Sequence, residues 1–419
     1  MTASPASRPE PAESPATPAA PAAPAAAPAA PQPTLQPALD FDHIVIGGGA
    51  MGSAAAWRLA RAGRSVLLLE RFTQVHLNGS SHGPSRNFNM ASYTEGDYLD
   101  LVAEAGRIWH ELEDETGERL LDVVGLVDHG AGEFDGHDEL LRAHGFQAET
   151  LRPEEAHERW PGIRFDTRVL HAPEGGRLNP DRAIPAMQAA AARHDAVLRH
   201  ETPARAIEPF DDGSGVRVVT DAGSATAHTV IVTAGAWARV LLDGLVDLPP
   251  LRVTQEQPAH FALADGGDGL DPATQERWPG FNHIPAPGDA RTAWWRGEVY
   301  GMLTPGEGVK VGWHGAGPVV DPDHRDFAPE PAQMDDLRRY VREWLPGVDP
   351  DRFEPISCLY TTTPDEDFVV DRRGPIVVGA GFSGHGFKFT PAIGRMLAEL
   401  ATDPDARALP RFALGRFGL

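Results

Sequence analysis

One cysteine and two lysines are the residues that first point to chemistry. Cys358 is the only cysteine of the chain, and only Lys310 and Lys388 among its 37 basic residues are lysines. A thiolate is a nucleophile, and a lysine kept where arginine serves elsewhere indicates a place that needs a compact ammonium. The alternative is an inert buried cysteine with two solvated lysines. The surrounding residues must decide between these interpretations.

Two alternating segments place these residues beside other reactive side chains. In the predicted strand Gly308–His314, Lys310 and His314 face the same side, about 13 Å apart at roughly 3.3 Å per residue. By the same alternation, Cys358 and Tyr360 share one face. The first segment is equally compatible with an edge strand whose polar side lies in water. If a ligand lies there instead, both segments line its pocket.

Two loops, residues 78–83 and residues 381–388, would expose backbone N–H groups to a ligand, since their glycines allow a ligand to approach the backbone closely. The alternative for the second loop is a flexible turn with Lys388 solvated. The candidate binding residues in or just after these loops are Ser81, His82, Arg86 and Asn89 in the first, and Gly381, Gly384, Gly386 and Lys388 in the second.

A strand–turn–helix–strand unit over residues 43–70 predicts a dinucleotide site. Gly47 makes the tight turn, Gly49 lets a pyrophosphate approach the backbone, and Gly52 packs the helix against the sheet. The phosphate would lie at the helix N-terminus, and Glu70 would accept a ribose hydroxyl. A purely structural glycine turn is the alternative, and this pattern does not separate FAD from NAD.

The elements that must position these residues indicate an α/β protein. Helices are predicted over residues 98–115, from 180, over 334–344 and over 391–400; strands over 229–233 and 375–378; and antiparallel segments over 294–310. The 229–233 strand leads into Gly235 and Trp237. The prediction is a Rossmann-like nucleotide-binding domain of discontinuous segments, 41–125, 168–250 and 355–405. A mostly antiparallel-sheet substrate domain, 126–167 and 251–354, is inserted between them.

Composition excludes several other classes of protein. A formal net charge of -23 argues against nucleic-acid binding, which needs clustered Lys and Arg. No apolar run reaches the roughly 20 residues that span a membrane, and a single cysteine allows no internal disulfide. Residues 1–37, almost wholly Ala, Pro, Ser and Glu, are predicted to be a disordered tail without a secretory signal. The predicted location is the cytoplasm.

Taken together, these segments resemble the monomeric sarcosine oxidase and N-methyltryptophan oxidase family of flavoproteins. The likeness runs from about Phe41 to about Leu400. The motifs that follow the glycine turn indicate FAD and not NAD as the cofactor. The matching segments are the glycine turn with Glu70, residues 78–86, Arg159–Gly162, Gly235–Trp237, Lys310–His314, Cys358–Thr361 and Gly381–Lys388.

The resemblance implies a role for each of the scarce residues. A cysteine at the position of Cys358 forms a thioether to the flavin 8α-methyl carbon, so FAD is expected to be covalent. A lysine matching Lys310 lies over the flavin and promotes its reaction with oxygen. Residues matching Tyr360 and His314 line the substrate pocket, and the position of Lys388 contacts the substrate carboxylate.

Three further positions follow from the same resemblance. His82 and Arg86 match residues close to the flavin ring. Asn89 stands where the best-known members carry a second carboxylate-binding arginine, and an amide offers only neutral hydrogen bonds. Arg86 is three positions away and would face the opposite side of an extended segment. Sarcosine itself is therefore not the expected substrate.

The implied activity is an FAD-dependent oxidase of a secondary N-methyl or cyclic amine or amino acid. A hydride equivalent would move to flavin N5, the imine would be hydrolysed, and dioxygen would be reduced to hydrogen peroxide. The alternative is a flavin-dependent amine dehydrogenase with another electron acceptor. The expected partners are a small amine and dioxygen, without a metal, and the expected state is a monomer.

Overall fold

A computed structural model describes residues 39–131, 134 and 136–419. The predicted disordered tail, residues 1–37, lies outside the described residues. The strands are β1 Leu39–Ile46, β2 Val66–Leu69, β3 Arg86–Phe88, β4 Leu121–Val123, β5 Leu126–Gly130, β6 Glu149–Leu151, β7 Val169–Ala172, β8 Gly176–Leu178, β9 Val197–Arg199, β10 Ala204–Pro209, β11 Val216–Thr220, β12 Gly223–Val232, β13 Arg252–Glu256, β14 Ala259–Leu263, β15 Gly280–Ile284, β16 Val299–Thr304, β17 Gly308–Trp313, β18 Val348–Pro355, β19 Cys358–Thr362, β20 Val369–Arg373 and β21 Ile376–Ala380. The helices are α1 Ala50–Arg61, α2 Gly96–Thr116, α3 His137–Ala143, α4 Pro153–Arg159, α5 Pro180–Arg193, α6 Ala238–Leu241, α7 Pro272–Glu276, α8 Pro331–Trp344 and α9 Thr390–Thr402, with 3-10 turns at Gly235–Trp237, Phe387–Phe389 and Leu414–Phe417.

The first large sheet has a parallel centre. Strands β9, β2, β1, β12 and β21 pair in parallel in that order, while β10, β11 and β20 join antiparallel at its margins. Strand β1 is buried on both faces, as Ile44 and Val45 show, which is typical of a parallel sheet covered by other layers. Helix α1 packs against both α5 and α9 in the largest hydrophobic core.

The second large sheet is almost wholly antiparallel. Its strand order is β18-β14-β17-β16-β15-β5-β7-β6, and β5–β15 is its one parallel pair within the described residues. Helix α8 packs on it through an apolar stripe that includes Leu337, Tyr340 and Trp344. A three-stranded sheet, β3-β8-β4, and a two-stranded sheet, β13-β19, accompany the two large ones.

The predicted fold class is confirmed: a parallel α/β sheet assembled from separated segments accompanies a mostly antiparallel sheet. The predicted helices lie within α2, α5, α8 and α9, and α5 begins as predicted, because Asn179 accepts a hydrogen bond from the backbone N–H of Arg182. The predicted domain limits stay a prediction. One strand of the 168–250 segment, β7, pairs in the second sheet. No described helix is both long enough and apolar enough to cross a membrane.

Candidate active site

Two positions of the glycine turn between β1 and α1, Gly47 and Gly52, have no space for a side chain. Gly47 has a positive φ of 102°, and a Cβ atom there would lie 2.4 Å from the carbonyl oxygen of Thr233. A Cβ atom on Gly52 would lie 1.9 Å from the carbonyl oxygen of Gly47. The first turn of α1 is therefore held directly against the turn. Its free N–H groups form the positive end that binds a diphosphate.

Glu70 lies beside this turn, at the end of β2. Its carboxylate accepts hydrogen bonds from the backbone N–H groups of Gly48, at 2.7 Å, and Phe72, at 2.8 Å. Burial opposes its ionisation, but hydrogen bonds from His76, Phe72 and Gly48 outweigh burial and hold the pKa of Glu70 below its usual range. An ionised carboxylate retains lone pairs for a ribose hydroxyl. Ser81 completes this region, since its Oγ accepts the Ala50 N–H at 3.3 Å.

One continuous cavity of about 750 Å³ runs from the glycine turn to the second sheet. Its volume is typical of a site that binds a cofactor together with a small substrate. The predicted site residues that line it are Gly47, Gly49, Glu70, Ser81, Arg86, Asn89, Gly235, Trp237, His314, Cys358, Tyr360, Gly381, Gly384, Gly386 and Lys388. Gly52, His82 and Lys310 are not part of the lining.

Strand β19 carries Cys358 and Tyr360 into the cavity wall, in agreement with their predicted shared face. Burial raises the pKa of the Cys358 thiol, against the opposing charge of Arg86. The Tyr360 hydroxyl lies 3.4 Å from Nδ1 of His314. Gly384, with a positive φ of 79°, lets the loop approach the tyrosine ring, because a Cβ atom there would lie 2.1 Å from Cε2 of Tyr360.

Lys310 is buried in the second sheet directly behind this wall, with 2% of its surface exposed. Its ammonium donates to the carbonyl oxygen of Ser85 at 3.0 Å, and Arg86 Nη1 donates to the same oxygen at 2.9 Å. Burial, followed by the charge of Arg86, lowers the pKa of Lys310 to about 7, while the thiolate form of Cys358 acts in the opposite direction. The only cysteine and one of the two lysines are thus electrostatic neighbours.

His82 is buried in the same region, and its Nε2 has no hydrogen-bond partner among the described residues. Burial, followed by the charges of Arg86 and Lys310, lowers the pKa of His82 to about 3. A neutral imidazole with an unpaired buried nitrogen fits a site that a bound ring with polar atoms would complete.

The second lysine lies at the other end of the cavity. Lys388 donates to the Tyr93 hydroxyl and to the carbonyl oxygen of His385, both at 2.8 Å. Burial lowers the pKa of Lys388 to about 7, and the nearby carboxylate of Asp128 opposes that shift. Burial likewise lowers the pKa of His314 to about 4, with the charge of Lys388 adding to it. The imidazole is therefore neutral at pH 7.

A buried polar network around Asp128 was missed by the sequence analysis. The Asn89 amide donates to Ser92 Oγ at 2.7 Å, and its oxygen accepts the Ala91 N–H at 2.7 Å. Ser92 Oγ and the Asn282 amide each donate to the Asp128 carboxylate at 2.7 Å. Burial raises the pKa of Asp128 to about 6. The amide of Asn89 is thus already engaged by the protein. The sequence contained one signal of this network, which was the carboxylate of Asp128 within the largely buried strand β5.

Two further carboxylates line the cavity at its exposed side. Glu298 and Glu366 have no hydrogen-bond or ion-pair partner for their carboxylates in the part of the chain described. Partial burial, followed by the charge of Glu366, raises the pKa of Glu298. An opening with unpaired negative charge attracts cations such as a protonated amine.

Comparison with known proteins decides the family. The FAD dependent oxidoreductase family matches residues 42–400, which contain the glycine turn, Glu70 and the complete cavity wall. The chain belongs to this family. FAD fits the geometry of this FAD-dependent oxidoreductase, because the helix N-terminus and Glu70 suit its diphosphate and ribose. No group of three His, Cys, Asp or Glu side chains among the described residues could hold a metal ion.

The predicted likeness to sarcosine and N-methyltryptophan oxidases is confirmed. This FAD-dependent oxidoreductase is 34% identical to the monomeric sarcosine oxidase of Bacillus sp. (strain B-0618) over 376 residues, 86% of this chain and 92% of that protein. It is 30% identical to the N-methyl-L-tryptophan oxidase of Yersinia pestis (strain Pestoides F), covering 90% of this chain and all of that protein.

A solved structure of the same type agrees. The open form of NikD, described as an unusual amino acid oxidase essential for nikkomycin biosynthesis, superposes with a TM-score of 0.74 and is 27% identical. The match covers 89% of this chain and 97% of NikD. The enzyme is therefore an FAD-dependent amine oxidoreductase of the sarcosine oxidase type.

Proposed function

We propose that this enzyme oxidises the C–N bond of a secondary amine, N-methyl or cyclic, and transfers the electrons to dioxygen. The observation that carries the proposal is the single cavity that joins the nucleotide site at Gly47–Gly49 to Cys358, His314, Tyr360 and Lys388. The relatives are named as oxidases of sarcosine and of N-methyl-L-tryptophan. FAD would accept a hydride equivalent from the amine and pass both electrons on.

The residues of the cavity would bind the amine in its neutral form. Glu298 and Glu366 attract the ammonium, and only a deprotonated nitrogen can release a hydride from its neighbouring carbon. His314 is neutral because burial lowers its pKa to about 4, so its imidazole can accept a hydrogen bond from the amine. The ring of Tyr360 and its hydroxyl would position the substrate. The resulting imine would be hydrolysed in water, and dioxygen would be reduced to hydrogen peroxide.

Peroxide release tests the proposed function. N-methyl and cyclic amino acids and larger amines would be screened for stoichiometric peroxide, with an artificial dye as a second acceptor. Rapid dye reduction with slow peroxide formation would contradict the oxidase and support an amine dehydrogenase.

Cys358 is proposed to bind FAD covalently. Acid precipitation of the wild-type enzyme should leave the yellow colour in the pellet, and Cys358→Ala should release it to the supernatant. Cys358→Ser is the closest match in size, and it should also lose the link because an oxygen nucleophile replaces the sulfur. If colour stays in the pellet of both variants, His82 becomes the candidate attachment residue.

Asn89 is proposed to reject a substrate carboxylate. Asn89→Arg would place a second cation in the wall, and we expect about tenfold stronger apparent binding of sarcosine, equivalent to about 1.4 kcal/mol. Asn89→Gln keeps the amide neutral and should give no gain. Because Asp128 lies in the same network and could bind the guanidinium, Asn89→Arg with Asp128→Asn should show a larger gain. No gain in either variant would mean that another feature excludes sarcosine.

We also propose the division of the chain into an FAD-binding part and a substrate part, as its sequence predicts. The Bacillus relative is named monomeric. A monomer in the cytoplasm is the corresponding proposal for this chain, and light scattering of the purified holoenzyme tests the oligomeric state.

A further inference from the structure

A line of hydrogen-bonding groups connects the surroundings of Lys310 with the protein surface. Glu307, whose side chain is 47% exposed, has its Oε2 at 2.7 Å from Nδ1 of His260. Nε2 of His260 lies 3.4 Å from Oγ1 of Thr304. That hydroxyl lies 2.7 Å from Oγ of Ser85, the residue whose carbonyl oxygen binds the Lys310 ammonium.

The donors and acceptors in this line can all point the same way. Nδ1 of His260 and Oε2 of Glu307 lie at an ion-pair distance of 2.7 Å, and because a carboxylate only accepts, Nδ1 is the nitrogen that carries the proton. Burial, followed by the charges of Lys310 and Arg86, lowers the pKa of His260 to about 3, so the ring is neutral and its Nε2 accepts from Thr304. Thr304 in turn accepts from the Ser85 hydroxyl. In this order every hydrogen points outward, toward Glu307. Proton delivery to Lys310 uses the reverse order, in which a protonated Glu307 gives its proton to Nδ1 of His260, Nε2–H donates to Thr304, Thr304 donates to Ser85, and the Ser85 hydroxyl donates to the neutral amine.

The line is protected from water except at its outer end. Ser85 is 0% exposed, Thr304 1% and His260 4%, and Lys310 is buried as well. The strands fix its geometry, because His260 in β14 is the direct cross-strand partner of Lys310 in β17. Partners in this register have their side chains on the same face of the sheet. Only Glu307 can exchange protons with solvent.

We propose that Glu307, His260, Thr304 and Ser85 form a proton relay that reprotonates Lys310 during oxygen reduction, an inference that rests on the proposed oxidase function. Dioxygen takes up two electrons and two protons to become hydrogen peroxide. The C–H bond of the amine supplies both electrons and one proton through the cofactor. The substrate ammonium loses one proton to solvent on binding, and the second proton that dioxygen takes up restores this balance. The net reaction therefore converts ammonium and dioxygen into iminium and hydrogen peroxide, with no net uptake or release of protons.

Lys310 is the group that donates this second proton, and the relay restores it. The ammonium is hydrogen-bonded to the carbonyl oxygen of Ser85, and the relay ends at the hydroxyl of the same residue. The proton reaches Lys310 when this hydroxyl rotates from Thr304 toward the neutral amine. The charged or titratable groups that act on Lys310 include Arg86, Cys358, Glu307 and Asp181, and His82 and His260 lie in its field. Of these groups, Glu307 lies beside the relay histidine, while Arg86 donates to the carbonyl oxygen of Ser85.

The kinetic test compares His260→Gln and Glu307→Gln with Glu354→Gln. Glu354 is a matched control, since it is an exposed carboxylate in register with His260 on β18. We expect reoxidation of the reduced enzyme by dioxygen to slow about a hundredfold in His260→Gln, the lower range for loss of acid–base assistance. The solvent isotope effect should increase, added imidazole should restore the rate, and anaerobic reduction should be unchanged. Glu354→Gln should behave as wild type.

A second readout needs no turnover. Because the chain has two lysines, lysine-specific ¹⁵N labelling of the holoenzyme gives two side-chain signals, and Lys388→Arg assigns them. Exchange of the Lys310 ammonium protons with water should be slower in both relay variants. Glu307 lies at the surface, so Glu307→Gln tests the relay even if His260→Gln does not fold.

Unchanged exchange and unchanged reoxidation in the relay variants would overturn the relay. Failure of the proposed function is a separate result: wild-type reduced enzyme would react with dyes and not with dioxygen. In that case the exchange measurement still decides whether Lys310 is connected to solvent.

Discussion

Lys310→Met should slow reoxidation of the reduced flavin by about a thousandfold and leave anaerobic reduction by the amine nearly unchanged. The first electron transferred to dioxygen creates a superoxide charge, and a cation about 4 Å away is worth roughly 4 kcal/mol at an effective dielectric of 20. That energy corresponds to about three powers of ten in rate. Stopped-flow measurements of the two half-reactions separate the effects.

The control is the other lysine. Lys388→Met removes an equally buried ammonium at the substrate end of the cavity, so it should weaken substrate binding and spare the oxygen reaction. Burial lowers the pKa of Lys310 to about 7, so the ammonium is lost as pH rises through 7. Wild-type reoxidation should therefore slow above pH 7, while Lys310→Met should lack this step. Equal slowing of both half-reactions by Lys310→Met would reject the role.

Gly52→Ala should yield protein without FAD. The added methyl group would lie 1.9 Å from the carbonyl oxygen of Gly47, so either the helix or the turn must move. Overpacking of this kind costs about 3 kcal/mol of the free energy of unfolding. Thermal unfolding of the cofactor-free protein and the flavin absorbance of the purified protein measure the two effects.

Gly49→Ala is the matched control in the same turn. A Cβ atom there has Ser81 Oγ at 3.4 Å as its nearest neighbour, an ordinary contact. The cofactor-free protein should therefore unfold at the wild-type temperature, while FAD binds more weakly because the methyl group faces the diphosphate. An identical loss of stability in both variants would show that the turn does not work as described.

Sequence patterns were sufficient for the parts of the site that depend on local spacing. The glycine turn, the shared face of Cys358 and Tyr360, and the loop before α9 each follow from residues close together in the chain. The separation of about 13 Å between Lys310 and His314 stays a prediction, because strand β17 ends at Trp313, one residue before His314.

The remaining contacts could not be predicted because they join distant segments. Lys310 and Ser85 are 225 positions apart, and His260 and Thr304 are 44 apart. The Asp128 network similarly joins β5 to β15 and to the turn after β3. The strand order of the second sheet brings His260, Thr304 and Lys310 together, and the segment around β3, outside that sheet, adds Ser85 and Ser92. Nothing in the spacing of single residues encodes these arrangements.

The burial of both lysines also has a consequence for handling the protein. With Lys310 2% and Lys388 7% exposed, the folded surface presents no lysine amine. Acylating reagents, and proteases that cleave after lysine, can therefore reach these side chains only when the core opens. Amine labelling of Lys310 and Lys388 then becomes a direct reporter of unfolding.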